Sequence, residues 1–161
     1  MGNKWMPVAL LFMTSLVVVP GGSAAAEKAK MAHRAKTIIV TPDDIQWKQG
    51  PAALPETKMA VLDGDPNKSG FFVIRLKLPA GTKIPPHVHD NVEKVTVISG
   101  KINLAMGDKQ ENPMALPAAG YFSLPPKTLH NAWVDEETIL QISTMGPWTF
   151  KPLKKATEKK E

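Results

Sequence analysis

Gly81-Thr-Lys-Ile-Pro-Pro-His87-Val-His89-Asp-Asn-Val-Glu93-Lys-Val-Thr-Val-Ile-Ser-Gly100 carries more structural information than any other part of this chain. His87 and His89 stand two residues apart and Glu93 follows four later, so on extended backbone all three side chains point to one face. Two imidazoles and a carboxylate on one face make up most of the ligand set of a divalent transition-metal site. His130, in a second strand-like run, offers a third imidazole. Beyond Glu93 the run alternates, with Val95 and Val97 sharing its face.

Outward from this stretch the chain reads as short apolar runs broken by 15 prolines and 11 glycines, which favours strands over helices. Thr37 to Val40 is expected as a first strand. Thr41-Pro42-Asp43-Asp44 is expected as a helical turn, with Thr41 as N-cap and Pro42 at the first position. Further strands are expected at Lys58–Leu62, Phe71–Leu78, Ile102–Met106, Tyr121–Leu124, Leu129–Val134 and Thr138–Thr144. Ser99-Gly100-Lys101 fits a tight turn, and Gly107 to Pro113 a loop. Of the two faces of the last strand, Leu140, Ile142 and Thr144 make the better inward set. Ile102, Leu104 and Met106 give another apolar face, and Ala132 and Val134 share the face of His130. Tyr121 or Phe122 could line a mouth. Pro147, Trp148 and Phe150 leave the alternating pattern and are expected to close the domain as a final clasp. Many short strands at this spacing indicate a sandwich or small barrel.

The ends are of another kind. Residues 1–26 read as a secretory signal peptide. Lys4 is the positive element, Val8 to Val19 the apolar core, and Ala24-Ala25-Ala26 the small-residue cleavage site. The apolar part is short for a membrane span, which needs about 20 residues. The expectation is therefore a periplasmic or secreted protein cleaved near Ala26, without stable membrane insertion. Residues 27–36 form a basic flank containing His33, best read as a surface residue. Residues 37–150 are expected to be the folded domain, and residues 151–161 a lysine-rich tail.

The net charge of +5 lies on the ends, since residues 37 to 150 hold ten basic and twelve acidic groups. No basic stripe with interleaved aromatics appears, so nucleic acid is not an expected partner. The chain has no cysteine, which excludes disulfides, thiolate catalysis and thiolate ligands.

These residues resemble the cupin superfamily, whose first motif is Gly-x5-His-x-His-x3-Glu-x6-Gly. Gly81, His87, His89, Glu93 and Gly100 match it at every position and spacing. The second motif, Gly-x5-Pro-x-Gly-x2-His-x3-Asn, is met in part by Gly120, Pro125 and His130. Its first gap is one residue short, Lys127 stands where the second glycine belongs, and Val134 replaces the asparagine. The resemblance implies an all-β, double-stranded β-helix (jelly-roll) barrel holding a metal on His87, His89, Glu93 and His130. Three imidazoles and a carboxylate would leave positions open on the metal, whereas structural zinc sites are closed. Iron, manganese, copper, zinc and nickel all suit this set.

Two readings of function follow. One is metal-dependent chemistry, dioxygenase- or isomerase-like, on a small organic molecule, with Glu93 doubling as a base. The other is a non-catalytic metal- or ligand-binding or sensing module, as in small cupin domains of the anti-sigma-factor kind. Either is expected to bind a small molecule and to pair as a homodimer through uncovered sheet edges.

Overall fold

The computed structural model describes residues 37–153. The expected signal peptide, basic flank and most of the lysine tail lie outside the described residues. Eleven strands follow one short 3-10 turn, Pro42–Asp44. They are β1 (Lys48–Gln49), β2 (Lys58–Asp63), β3 (Gly70–Leu78), β4 (Lys83–Val88), β5 (Glu93–Ser99), β6 (Lys101–Met106), β7 (Met114–Pro117), β8 (Tyr121–Leu124), β9 (His130–Trp133), β10 (Thr138–Gly146) and β11 (Lys151–Pro152). The turn forms as its sequence predicts, the Asp44 carboxylate accepting bonds from the Thr41 backbone N–H and hydroxyl.

All pairs are antiparallel, in a six-stranded sheet ordered β1-β2-β3-β10-β5-β8 and a five-stranded sheet ordered β11-β4-β9-β6-β7. The two sheets enclose one core. Phe72, Ile74, Leu76 and Leu78 of β3, Val95 and Val97 of β5, and Leu140 and Ile142 of β10 meet Ile84, Ile102, Leu104 and Ala132 from the other sheet and Val134 just past β9. Each of these side chains larger than Ala132, fully buried, contributes roughly 1.5–3 kcal/mol. This is the jelly-roll architecture expected from the sequence.

Several expectations need correction. Thr37–Val40 is not a strand: among the described residues these four pair with nothing, and Ile39 is 83% exposed. An apolar, β-branched run gives propensity, but without a neighbouring strand it has no ladder to join. Met106 is 52% exposed, because β6 reaches its end there. Tyr121 points away from the site: it pairs with Thr96 and is exposed, while Phe122, beside inward-facing Val95, packs against the core. The two-residue β1 and the proline-containing β7 were too short to show a period. Lys151 and Pro152, expected in the tail, pair with β4.

Candidate metal centre

Each side chain reaches the site for a local reason. In β4 the prolines Pro85 and Pro86 have no N–H to give the ladder, and the β4–β9 register shifts between Ile84 and His87. Ile84 and His87, three apart, are consequently both buried, and His87 lies opposite His130 in β9. The chain bends at Asp90 and Asn91, so His87, His89 and Glu93 do not share one continuous strand. His89 lies just past the end of β4 and Glu93 opens β5. They still converge, because the bend folds the carboxylate back toward the imidazoles.

The turns that frame this arm differ. Gly100 has φ +75°, and a Cβ there would come within 2.5 Å of the Glu137 carbonyl oxygen. Gly81 has φ +82° and open space around it, so conformation alone favours glycine.

All four predicted residues come together, buried. The histidine ligand atoms lie within 4.8 Å of one another, and Glu93 borders two of the three rings. His87 Nε2 is 3.0 Å from His89 Nε2. Glu93 Oε1 is 3.4 Å from His89 Nε2 and Oε2 is 3.2 Å from His130 Nε2.

Each ring is held from behind by a backbone carbonyl. His87 Nδ1 donates to Pro85 O at 2.8 Å, His130 Nδ1 to Thr128 O at 3.0 Å, and His89 Nδ1 to Thr149 O. Such bonds fix the tautomer and direct the Nε2 lone pairs inward, as outer partners of metal-binding histidines do. Neutral rings so held turn two lone pairs toward each other across 3.0 Å, a contact that a cation between them relieves. Glu93 Oε2 is buried and accepts no hydrogen bond, despite its nearness to His130. Ligand atoms each about 2.1 Å from a common ion stand roughly 3.0–3.4 Å from one another when adjacent, and the His87–His89, His89–Glu93 and His130–Glu93 contacts have that spacing. The donor set fits a transition-metal ion.

His87 and Glu93 are in the protonation states that ligands need, whereas His130 must give up its proton to the metal. Burial, and then the neighbouring His130 ring, push His87 down to about 4, so it is neutral at pH 7. Burial pushes Glu93 up, but His130, His89 and His87 outweigh it and hold the carboxyl below its ordinary value. Burial lowers His130, but Glu93 and the Thr128 carbonyl more than offset it and raise the ring above its ordinary value.

Residues 35–149 match the ChrR cupin-like domain family. The chain belongs to that family. No curated protein matches the sequence significantly. Among solved structures, the polyketide cyclase RemF from Streptomyces resistomycificus is similar over 75% of this chain and 88% of its own, with 14% identity and TM-score 0.64. An RmlC-like cupin protein from Ralstonia eutropha JMP134 matches over 74% of this chain and 75% of its own, at 18% identity and TM-score 0.59. A proposed acetylacetone dioxygenase from Methylibium petroleiphilum PM1 matches over 73% and 82%, at 23% identity and TM-score 0.58. At these identities the likeness is one of fold.

The sequence signalled the ligand candidates but not their surroundings. The carbonyls of Pro85, Thr128 and Thr149 carry no residue signature. The final clasp closes on the histidines themselves: Phe150 stacks on His87 at 4.2 Å and 20°, and Trp148 lies parallel to His89 at 6.1 Å and 9°. Aromatic residues just past the alternating pattern were the available hint.

Proposed function

We propose that this cupin is an exported protein that binds a divalent transition metal through His87, His89, Glu93 and His130 and uses it in dioxygenase- or isomerase-like chemistry on a small organic molecule. The observation that carries the reading is the site's polarity: three Nδ1–H groups satisfied from behind, three Nε2 atoms converging, and a buried carboxylate oxygen without a donor. When bound, the metal supplies Lewis-acid polarisation or redox chemistry. Iron, manganese, copper, zinc and nickel remain its candidates, as from the ligand types.

The chain's own residues have distinct parts. Leu54, Leu76, Ile84 and Ile142 give the site an apolar wall, which strengthens charge interactions inside. The three imidazoles keep Glu93 ionised, and once its carboxylate leaves the metal it can take a proton from a bound molecule and return it. Export rests on the signal-like residues 1–26. A homodimer is the expected assembly, and a concentration-independent monomer mass in solution would contradict it.

The test is turnover with metal-loaded protein against a panel of small organic acids and diketones, following oxygen uptake and isomerisation. Glu93→Gln should lower turnover by about 100-fold or more, and His87→Ala should abolish it in a folded barrel. One observation favours the second reading, a binding or sensing module. The cavity at the histidines measures only about 30 Å³. Under that reading no substrate turns over, and metal changes association with a partner.

A further inference from the structure

Beyond β10 the chain crosses back over the histidines as a strap, Pro147–Leu153. Its backbone is tied down at both ends, Trp148 N–H donating to Pro66 O at 2.7 Å and Leu153 N–H to Pro86 O at 2.8 Å. Near its centre the Thr149 hydroxyl accepts the Asp90 N–H at 2.8 Å, and Lys151 Nζ stands 2.6 Å from the Asp90 carboxylate. Asp90 also pairs with Lys127, so one carboxylate joins the strap to the loop before β9. The Thr149 carbonyl accepts the His89 Nδ1–H.

The strap also fills the space. The cavity that Trp148 and Phe150 share with His87, His89 and Glu93 has about 30 Å³, room for a water. Small-molecule sites run to about 300–1,000 Å³. A pocket of about 410 Å³ does lie outside, lined by Phe71, Asn91, Val92, Lys94, Pro126 and Met145 among others. Between it and the histidines is a crevice that has no room for water and is bounded by Trp148 and Thr149. Asn91, Val92, Thr144 and Met145 belong to both the pocket and the crevice. The strap residues Pro147, Trp148 and Thr149 form one side of the crevice that separates the pocket from Glu93.

We propose that the strap is a lid coupled to metal binding, with Thr149 as a positioning residue that holds His89 through its carbonyl. This rests on the metal-centre reading above and extends it. Opening the lid removes the acceptor that aims His89 Nε2 at the other ligands, so access to the site and grip on the metal oppose each other. By linkage, the metal tightens the strap by the same factor as the strap tightens the metal. The molecule that displaces the lid has an apolar body, since it replaces the Trp148 and Phe150 rings against Leu54, Leu76, Ile84 and Ile142.

Cobalt(II) is the probe, because its visible spectrum reports imidazole coordination while a competing chelator reports affinity. Thr149→Val removes the hydroxyl that anchors the strap to Asp90 and keeps the side chain's shape, whereas Thr149→Ser retains the hydroxyl. Thr149→Val keeps the carbonyl that accepts from His89 and loses only the strap's Asp90 anchor, so it should bind cobalt about threefold more weakly, less than the tenfold or more that follows loss of a ligand's outer partner, and Thr149→Ser should match the parent. In the parent, cobalt should slow hydrogen exchange at the Trp148 and Leu153 amides by a similar factor, beyond any slowing at the core amide of Val97. Unchanged affinity in Thr149→Val, or strap amides indifferent to cobalt, overturns the coupling and leaves the metal centre standing. A parent protein that binds no cobalt overturns both.

Discussion

The two arms that bring histidines to the site differ in how closely they keep the cupin pattern. The arm from Gly81 to Gly100 matches at every position, with left-handed glycines at both ends, φ +82° and +75°. The arm from Gly120 to Val134 does not, yet it delivers His130 to within 3.2 Å of Glu93. Lys127 adopts φ +64°, the conformation that the missing glycine would take at no cost. Its N–H donates to His89 O at 2.8 Å, and its Nζ pairs with Asp90, tying the second arm to the first. Val134, where asparagine was expected, is buried in the core. Its backbone pins the Gly81 turn, accepting from Gly81 N–H at 2.9 Å and donating to Thr82 O at 3.1 Å. What the pattern encodes is therefore a backbone path, and residues other than the usual ones can follow it.

If the arms are equivalent in the site, removing either histidine has the same consequence. His87→Ala and His130→Ala should each weaken metal binding by at least about 100-fold, more than the loss of an outer partner typically does. Chelator competition measures both, and parent-like affinity in His130→Ala would separate the second arm from the centre.

A second test is acid. In metal-free protein His87 titrates at about 4 when folded, against 6.5 as the ordinary value. The unfolded chain binds the proton first, so stability is full above 6.5, falls as pH drops through that window, and stops falling below 4. The His87 contribution to this loss is roughly 3 kcal/mol, and the raised His130 offsets part of it. Urea midpoints in chelator at pH 7 and pH 4.5 measure it, and His87→Ala should flatten the difference.

The glycines sharpen the contrast within the first arm. Gly81→Ala meets no neighbour and should cost about 1–2 kcal/mol for its left-handed backbone alone. Gly100→Ala adds the approach to the Glu137 carbonyl and should cost more. Equal urea midpoints for the two variants would refute the steric argument. The smallest effect belongs to Lys127→Gly. Relief of about 1 kcal/mol of backbone cost is set against an exposed ion pair worth about 0.2–1 kcal/mol, so thermal stability should be unchanged or slightly higher.

These particulars show what the sequence could reveal. The inward faces of β5 and of β10 were legible, because period-two alternation in an antiparallel sheet directly separates core from solvent. So were the ligand candidates, whose residue types and spacing have few other uses. The strand expected at Thr37–Val40 failed because pairing depends on a partner that local propensity does not supply. The strap over His87 and His89 was legible only as a clasp of aromatic residues. Its contact with the histidines arises from tertiary packing, and the bond to His89 comes from a backbone carbonyl that any residue at 149 would provide.

The central claim is that four residues from the two unequal arms hold one transition-metal ion. Its most direct test is elemental analysis of protein produced with its own N-terminal residues and purified without chelator or added metal. The account predicts close to one equivalent of a transition metal per chain, lost in both His87→Ala and His130→Ala while the barrel stays folded. A folded parent protein that carries no metal and takes up none when it is offered would contradict it.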